Sequence, residues 1–362
     1  MKTLINNSFG IAELDISQNG KRISSVLAEF GFSSRDIIKT ALATKDPIKM
    51  IPYIERIEQS SHNHYSTCFC MLLEKLCNIE IEETVKTIRT LILELERVYS
   101  HSIYLNKMFS YTDNNILINH TTTIHDKILD CFEEVIGHRM YGTCSVLGDI
   151  NFNISSGNIK LIKEISDELA LLLNKIKSFF KNNYSLLSMF KEQVLISERM
   201  IKEHNLSGPF SWFYDETLDL RKKEPYLSYG KTEIQNILDK NDNLENCIYG
   251  RIMRIIEDSE NSIKIIKVIV SNGYNIIYNR KIPLKYLAVT PKGKYSQMIE
   301  SPRGSIKITV DINKAGLFEN IEITSPSDVN RSIIDRAIKG TTIDYTAQAF
   351  DSLYLSSMEI DK

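Results

Sequence analysis

Apolar positions in the middle of the chain recur every three to four residues over long stretches. From Glu82 to Lys107 they fall at Val85, Ile88, Leu91, Ile92, Leu95 and Val98, the stripe of a core-facing helix. Similar stripes run from Ile116 to Tyr141, Ile159 to Phe180 and Asn246 to Ser271, and a weaker one starts near Leu187 and fades by His204. Tyr65–Leu76 also reads as helix. Gly208, Pro209 and the run Phe210-Ser211-Trp212-Phe213-Tyr214 predict an irregular loop whose aromatics stand exposed and seek a partner. The two ends alternate instead. Ala12–Ile16 and Arg22–Ala28 flank Gln18-Asn19-Gly20, a hairpin signal because both turn positions favour positive φ. Ser33, Ser34 and Asp36 offer caps for a short helix to about Thr44, closed by Pro47 and Pro52. Ile306, Ile308 and Val310 alternate with polar residues, and Ile321 and Ile323 follow beyond Asn313–Gly316, a second hairpin. Ser327 and Asp328 are caps for a closing helix to about Lys339. The pattern predicts an α+β fold, mainly α. A long-helix bundle (56–290) forms the core, with small β-hairpins in an N-terminal region (1–55) and a C-terminal region (291–362) of one compact unit.

Composition narrows the function. In 362 residues, 44 basic side chains face 46 acidic ones, which argues against a whole-surface nucleic-acid binder. No apolar run approaches the roughly 18 residues that span a bilayer, and the first residues lack a secretory apolar segment, so membrane association has to come through a partner. Six cysteines in a chain of this length suggest reduced thiols rather than a disulfide scaffold. Cys68 and Cys70 sit about 200° apart on a helix and cannot share an ion. His62 and His64 diverge likewise if helical, but face together in an extended turn. His120 and His125 lie off the helical zinc spacing. Pro291-Lys292-Gly293-Lys294 lacks the first glycine of a phosphate loop. Spacing alone names no reaction.

Ordered motifs do. Arg56 with Glu74-Lys75-Leu76, then Arg89-Thr90-Leu91-Ile92-Leu93-Glu94-Leu95-Glu96-Arg97-Val98-Tyr99-Ser100-His101, then Gly137-His138-Arg139-Met140-Tyr141, follow one another along the chain. Asp219-Leu220-Arg221 with Pro225-Tyr226 and Tyr229 comes next, followed by Tyr249-x-Arg251 and Glu300-Ser301-Pro302-Arg303-Gly304. Their order and spacing resemble two related families: the large subunit of nickel–iron hydrogenases, energy-converting membrane ones above all, and the 49 kDa quinone-pocket subunit of respiratory complex I. The ending Glu359-Ile360-Asp361-Lys362 echoes the complex I terminus.

The departures carry more information. The hydrogenase metal site takes four thiolates from two Cys-x-x-Cys motifs, and the matching positions here are Glu58, Ser61, Ser356 and Glu359. Nickel and a diatomic-ligated iron need soft sulfur, which carboxylates and hydroxyls do not supply. The resemblance therefore implies a metal-free member without hydrogenase activity of its own. In complex I the quinone headgroup meets a histidine and a tyrosine. Ser34 and Gln59 stand in those places, and with Arg303 they are the implied remnants of a degenerate quinone pocket.

The resemblance implies no cofactor on this chain and an iron–sulfur cluster in a partner small subunit. It further implies membrane antiporter-like subunits in the same assembly and a cytoplasmic position, peripheral on the inner face of the membrane. If the fold is kept, Glu58 and Glu359 share one hollow with Ser61 and Ser356. Paired carboxylates raise one pKa, a state suited to carrying a proton, with His62 and His64 near enough to extend the path. The alternative is a vacated metal hollow refilled by polar side chains. At the level of function, a docking and coupling role stands against a redox-active one with a modified quinone pocket.

Overall fold

A computed structural model describes the chain except Ser8, Glu192 and residues 240–243, 272–275 and 282–291. The boundary expected at 290/291 and the segment beginning at Pro291 lie partly outside the described residues. Strands β1 (Lys2–Asn7), β2 (Gly10–Asn19) and β3 (Arg22–Glu29) form an antiparallel sheet in sequential order. Helices α1 (Ile37–Ala43), α2 (Pro47–Ile54) and α3 (His62–Leu76) lead to the long α4 (Glu83–Ser110) and α5 (Asn115–Ile136). A two-residue-per-strand hairpin, β4 (Ser145–Val146) and β5 (Asp149–Ile150), precedes α6 (Ser156–Asn182), α7 (Tyr184–Phe190) and α8 (Glu198–His204). After a 3₁₀ segment at Gly208–Phe213 come α9 (Leu220–Lys223), α10 (Thr232–Ile237) and α11 (Ile248–Ser271). A second antiparallel sheet, β6 (Gly293–Ser301), β7 (Gly304–Ile312) and β8 (Phe318–Thr324), is followed by α12 (Pro326–Asn330), α13 (Ile334–Ile338), α14 (Thr346–Asp351) and α15 (Ser357–Ile360).

The fold is α+β and mainly α, as the periodicity predicts. Helix α4 packs against both α5 and α11, and α6 lies across α5 and α11. The apolar stripe of α4, from Val85 to Val98, is buried, but so are Arg89, Glu94, Glu96, Arg97, Ser100 and His101. A helix buried on nearly every side keeps polar residues only where they are paired, and α4 is the central rod through which the interior charges are wired.

The termini meet on one side of this core. Ser357 N–H donates to Phe9 O at 2.9 Å, and Asp361 accepts from the backbone of Gly31 and Ser33 at 2.7 and 2.8 Å. That tie carries α15 past β2 toward the start of α3, which places position 359 close to position 58.

Several local expectations are corrected. The first sheet has three strands, and its turn is Gly20-Lys21, one residue later than the Asn-Gly signal implies; opposite Ser17 and Gln18 the register shifts by one, with Ser24 left over on β3. Pro47 opens a helix rather than closing one: it sits in the first turn of α2, where a missing N–H costs nothing, and Asp46 caps it. The closing helix is capped two residues earlier, by a Ser325–Asp328 capping box. The weak stripe from Leu187 to His204 is two short helices. Trp212 is buried, with the Arg221 guanidinium 5.4 Å from its ring, so the expected exposed aromatic surface there is absent. Phe210 is buried as well, and Tyr214 alone of the aromatics in that run stands exposed.

Candidate functional site

At the end of α2 a 3₁₀ turn (Glu55–Ile57) delivers Glu58 in extended conformation, and its side chain turns inward. Glu58 is fully buried. One carboxylate oxygen accepts from Ser60 N at 3.1 Å and Ser60 Oγ at 2.9 Å, while Ser356 Oγ donates to the other. Arg303, from the β6–β7 turn, lies against the rings of both Phe9 and Tyr354, 4.4 and 4.8 Å from their centroids. One of its nitrogens is 3.5 Å from Glu58 and donates to Ser60 Oγ at 2.9 Å; another is 4.0 Å from Glu359. Glu359 accepts from Tyr65 OH at 3.0 Å and from Ser327 Oγ at 2.5 Å. Burial raises the Glu359 carboxyl, against the pull of Arg303 and with the Glu58 charge adding to it. The structure thus gathers Glu58, Ser356, Glu359 and Arg303 into one cluster. Ser61 is buried beside Ser60, its hydroxyl without a hydrogen-bond partner among the described residues.

His62 and His64 form the first turn of α3, and both imidazoles reach Glu96 of α4, His62 at 3.0 Å and His64 at 2.6 Å. Two residues apart on a helix, they meet because the acceptor sits on the helix end rather than its side. Glu96 also accepts from the backbone N–H groups of Asn63 at 2.7 Å and His64 at 3.0 Å, so it serves as a cap supplied by another helix. Burial works against the Glu96 charge, but the imidazoles and these N–H groups outweigh it and hold the carboxyl below its ordinary range. Burial lowers His64, which is therefore neutral near pH 7. Nothing in the sequence singles out Glu96, whose role depends on a contact 33 residues away.

A second charged cluster lies deeper. Arg97 donates to Glu94 at 3.2 Å and to the carbonyls of Glu300 and Ser301. Arg221 pairs with Asp219 and with Asp258, both at 2.8 Å, and lies 3.5 Å from Glu94. His101 bonds Asp258 at 3.0 Å. Burial opposes the Asp258 charge, yet Arg221, His101 and Arg97 hold it well below the usual carboxylate range. Glu300, whose one bonded oxygen accepts from Leu220 N, is pushed up to about 8 by burial and by Asp219.

A cavity of about 280 Å³ opens beside the first cluster, lined by Gln59, Ser60, Tyr99, Ser102, Ile103, Asn106, Thr122 and His125. Gln59 stands at its wall, whereas Ser34 is exposed on the loop after β3 and does not line it. Arg303 belongs to the buried carboxylate cluster. The implied quinone-pocket remnants therefore do not form one site. Cys68 and Cys70 are both buried, against Gln297 O and Ser145 O respectively. Among the described residues, no group of three or more His, Cys, Asp or Glu is arranged to hold a metal ion. The groups at positions 58, 61, 356 and 359 are hard oxygens, and those of Glu58, Ser356 and Glu359 already face one another or Arg303, a set that does not fit a nickel–iron centre.

The sequence has similar proteins. The family described as "Respiratory-chain NADH dehydrogenase, 49 Kd subunit" matches residues 117–285. An NADH-quinone oxidoreductase subunit of Clostridium beijerinckii is 25% identical over 98% of this chain and 94% of that protein. The protein of the same description in Desulfitobacterium hafniense is 22% identical over 98% and 94%. A longer NADH-quinone oxidoreductase subunit, from Bacteroides thetaiotaomicron, is 24% identical over 83% of this chain and 56% of its own length. The chain is thus a relative of the complex I 49 kDa subunits, a family itself related to the nickel–iron hydrogenase large subunit, as its motifs imply. Among the described residues, no helix is long and apolar enough to cross a membrane.

Proposed function

We propose that this chain is the 49 kDa-type component of a membrane-associated, complex I-like or energy-converting-hydrogenase-like oxidoreductase assembly. It docks an iron–sulfur small subunit and couples it to antiporter-like membrane subunits that move ions. It holds no cofactor itself, carries no hydrogenase activity, and lies peripherally on the cytoplasmic face through its partners. The observation that carries the reading is the chemistry at positions 58, 61, 356 and 359. Two buried carboxylates and two hydroxyls, with Arg303 between the carboxylates, replace the sulfur that the related metal centre requires. Glu359, raised by burial and by Glu58, is suited to hold a proton near neutral pH.

Purification of the whole assembly tests this. Nickel at stoichiometric level in this chain would overturn it, and so would a chain that does not copurify with an iron–sulfur protein. Ion translocation with Glu58→Gln and Glu359→Gln tests the proton role: a several-fold loss supports it, and unchanged transport removes it.

The cavity at Gln59 favours a second reading, a redox-active component with a modified quinone pocket. Amide and hydroxyl groups of Gln59, Ser60, Ser102 and Asn106 can hydrogen-bond a carbonyl, and Tyr99 stacks on His125 with centroids 5.0 Å apart. Quinone reduction by the assembly that weakens with Gln59→Ala, with partner docking intact, would select this reading.

A further inference from the structure

Ser60 lines the cavity and bonds Glu58, but it also begins a second path. Its Oγ lies 3.1 Å from Ser100 Oγ, which lies 2.8 Å from Tyr354 OH, which lies 3.2 Å from His101 Nδ1. From the opposite ring nitrogen His101 bonds Asp258 at 3.0 Å. Every one of these groups is buried. The route therefore joins the Glu58 cluster at a cavity wall to the deep Arg97–Arg221–Asp258 cluster, through elements distant in sequence.

Counting hydrogens gives the path its meaning. Asp258 is kept ionised by two guanidiniums, so His101 Nε2 retains its hydrogen to donate to it, and Nδ1 is an acceptor. Ionised Glu58 is an acceptor too. Between the two acceptors lie four links: Glu58–Ser60, Ser60–Ser100, Ser100–Tyr354 and Tyr354–His101. The three hydroxyls supply three hydrogens. The chain is one proton short, and a single added proton completes it whether it resides on Glu58 or on His101 Nδ1.

We propose that Ser60, Ser100 and Tyr354 form a proton relay that shares one proton between Glu58 and the His101–Asp258 pair. The inference rests on the reading of Glu58 as a proton-carrying group. In transfer, Glu58 gives its proton to Ser60, each hydroxyl passes on the hydrogen it held, and His101 Nδ1 receives the last one. Glu58 becomes a carboxylate and His101 an imidazolium facing Asp258, with no bond between heavy atoms altered. The surrounding charges permit both ends. Arg303 and Glu359 face Glu58, with Tyr65 behind Glu359. At the other end two guanidiniums, Arg97 and Arg221, stand among three carboxylates, Glu94, Asp219 and Asp258, so an imidazolium balances the group. Tyr354 has φ +52°, a left-handed conformation that a bulky side chain rarely adopts. This backbone geometry accompanies a ring that contacts Ser100, His101 and Arg303 together.

The test is a protonation cycle on the isolated full chain, with its seven histidines ¹⁵N-labelled and His101 followed by NMR against pH. Glu58→Gln replaces the distant acceptor by an amide that can donate to Ser60 and complete the chain. It should lower the His101 titration midpoint by one pH unit or more, a tenfold change in proton affinity. Ser100→Ala breaks the middle link without touching His101 or Arg303. In that background the Glu58→Gln shift should fall to a third or less, and Tyr354→Phe should give the same result from the next link. Equal shifts with and without Ser100 would mean direct charge interaction alone and overturn the relay. An imidazole that stays neutral down to acid unfolding would overturn it too. Failure here leaves partner docking unaffected, because docking is read separately by copurification.

Discussion

Glu96 offers the sharpest test of how the interior is built. Four hydrogen bonds reach its carboxylate: the backbone and side-chain nitrogens of Asn63 on one oxygen, and the backbone and ring nitrogens of His64 on the other. Ser61, at the N-cap of α3, supplies no side-chain cap of its own. In Glu96→Gln the amide oxygen can keep the Asn63 side, which turns the NH₂ group toward the His64 N–H. The His64 ring can switch tautomer and recover its contact; the backbone N–H cannot. Losing that bond to a charged acceptor costs about 1.5–3 kcal/mol, and the two remaining bonds, now to a neutral oxygen, weaken by about 0.5–1.5 kcal/mol each. The expected total is about 2.5–6 kcal/mol, a large share of the roughly 5–15 kcal/mol that holds a protein folded. Guanidinium unfolding of the full chain at pH 7, followed by helical circular dichroism, measures it. Glu83→Gln, on a side chain 71% exposed, is the control and should stay within about 0.5 kcal/mol of the parent. A loss below about 1 kcal/mol for Glu96→Gln would refute the cap-from-a-neighbouring-helix argument.

Three further outcomes follow from the same geometry. Gly208 has φ +78°, and a Cβ there would meet the Arg303 carbonyl oxygen at 1.9 Å. Gly208→Ala should therefore cost about 2–5 kcal/mol in unfolding free energy, strain and overpacking together, and a neutral result would mean that the β6–β7 turn is free to move. His64 and His101 are both lowered by burial, so the unfolded chain binds more protons below about pH 6.5. Their contribution is fully present above that pH and is lost toward acid by up to about 1.4 kcal/mol per group per pH unit, so in a Glu300→Gln background stability that rises on going from pH 7 to pH 5.5 would contradict it. Glu300, pushed up to about 8, has the opposite slope: the fold holds its proton where the unfolded chain does not, and this stabilisation fades as pH rises toward 8. Glu300→Gln should flatten the stability profile between about pH 4.5 and pH 8, and an unchanged profile would show that Glu300 is not the group responsible.

What is legible in the sequence is what depends on neighbours along the chain. The stripe from Val85 to Val98 fixes which face of α4 is apolar, and the alternation at Ile306–Val310 marks β7, because burial on a helix or strand repeats with the local period. Pro47 misleads because proline stops a helix from within but starts one from its first turn, and only Asp46 one residue earlier tells the cases apart. Trp212 misleads for a different reason: its cover is Arg221, from α9, and no window around the aromatic run contains that partner. The site divides along the same line. Positions 58, 61, 356 and 359 stand out through motif resemblance, and the tie between Phe9 and Ser357 explains physically how the two ends of that set approach each other. Ser60 and Tyr354 carry no signal, and Ser100 stands out only as part of the Arg89–His101 motif, with no hint of its contacts. A serine or tyrosine hydroxyl becomes a conductor only through what lies at about 3 Å on either side of it, which is a property of the packing.

The persistence of charge in this interior is itself an argument. A hollow that had merely been refilled would gain stability from apolar side chains of similar volume, since a buried ion pair recovers its desolvation cost poorly. Here Arg303 is buried with two nitrogens, Nε and Nη1, lacking a hydrogen-bond acceptor among the described residues, while Glu58 sits 3.5 Å from Nη2 and Glu359 4.0 Å from Nη1. That arrangement is looser than a structural ion pair such as Arg89–Glu74, whose two bonds measure 2.6 and 3.0 Å and whose Arg89 is further bonded to the carbonyls of Val146 and Asp149. Both clusters occupy one core, so the difference is not one of overall packing quality. Both Glu74 oxygens are held by Arg89, which leaves only its Nε without a partner among the described residues. Arg303 has donors to spare, so the Glu58–Glu359 pair can gain or lose a proton without leaving a newly orphaned partner. If that is the reason for the slack, Arg303→Lys should disturb proton-linked transport of the assembly several-fold more than it disturbs thermal stability. Equal disturbance of both would return Arg303 to an ordinary structural role.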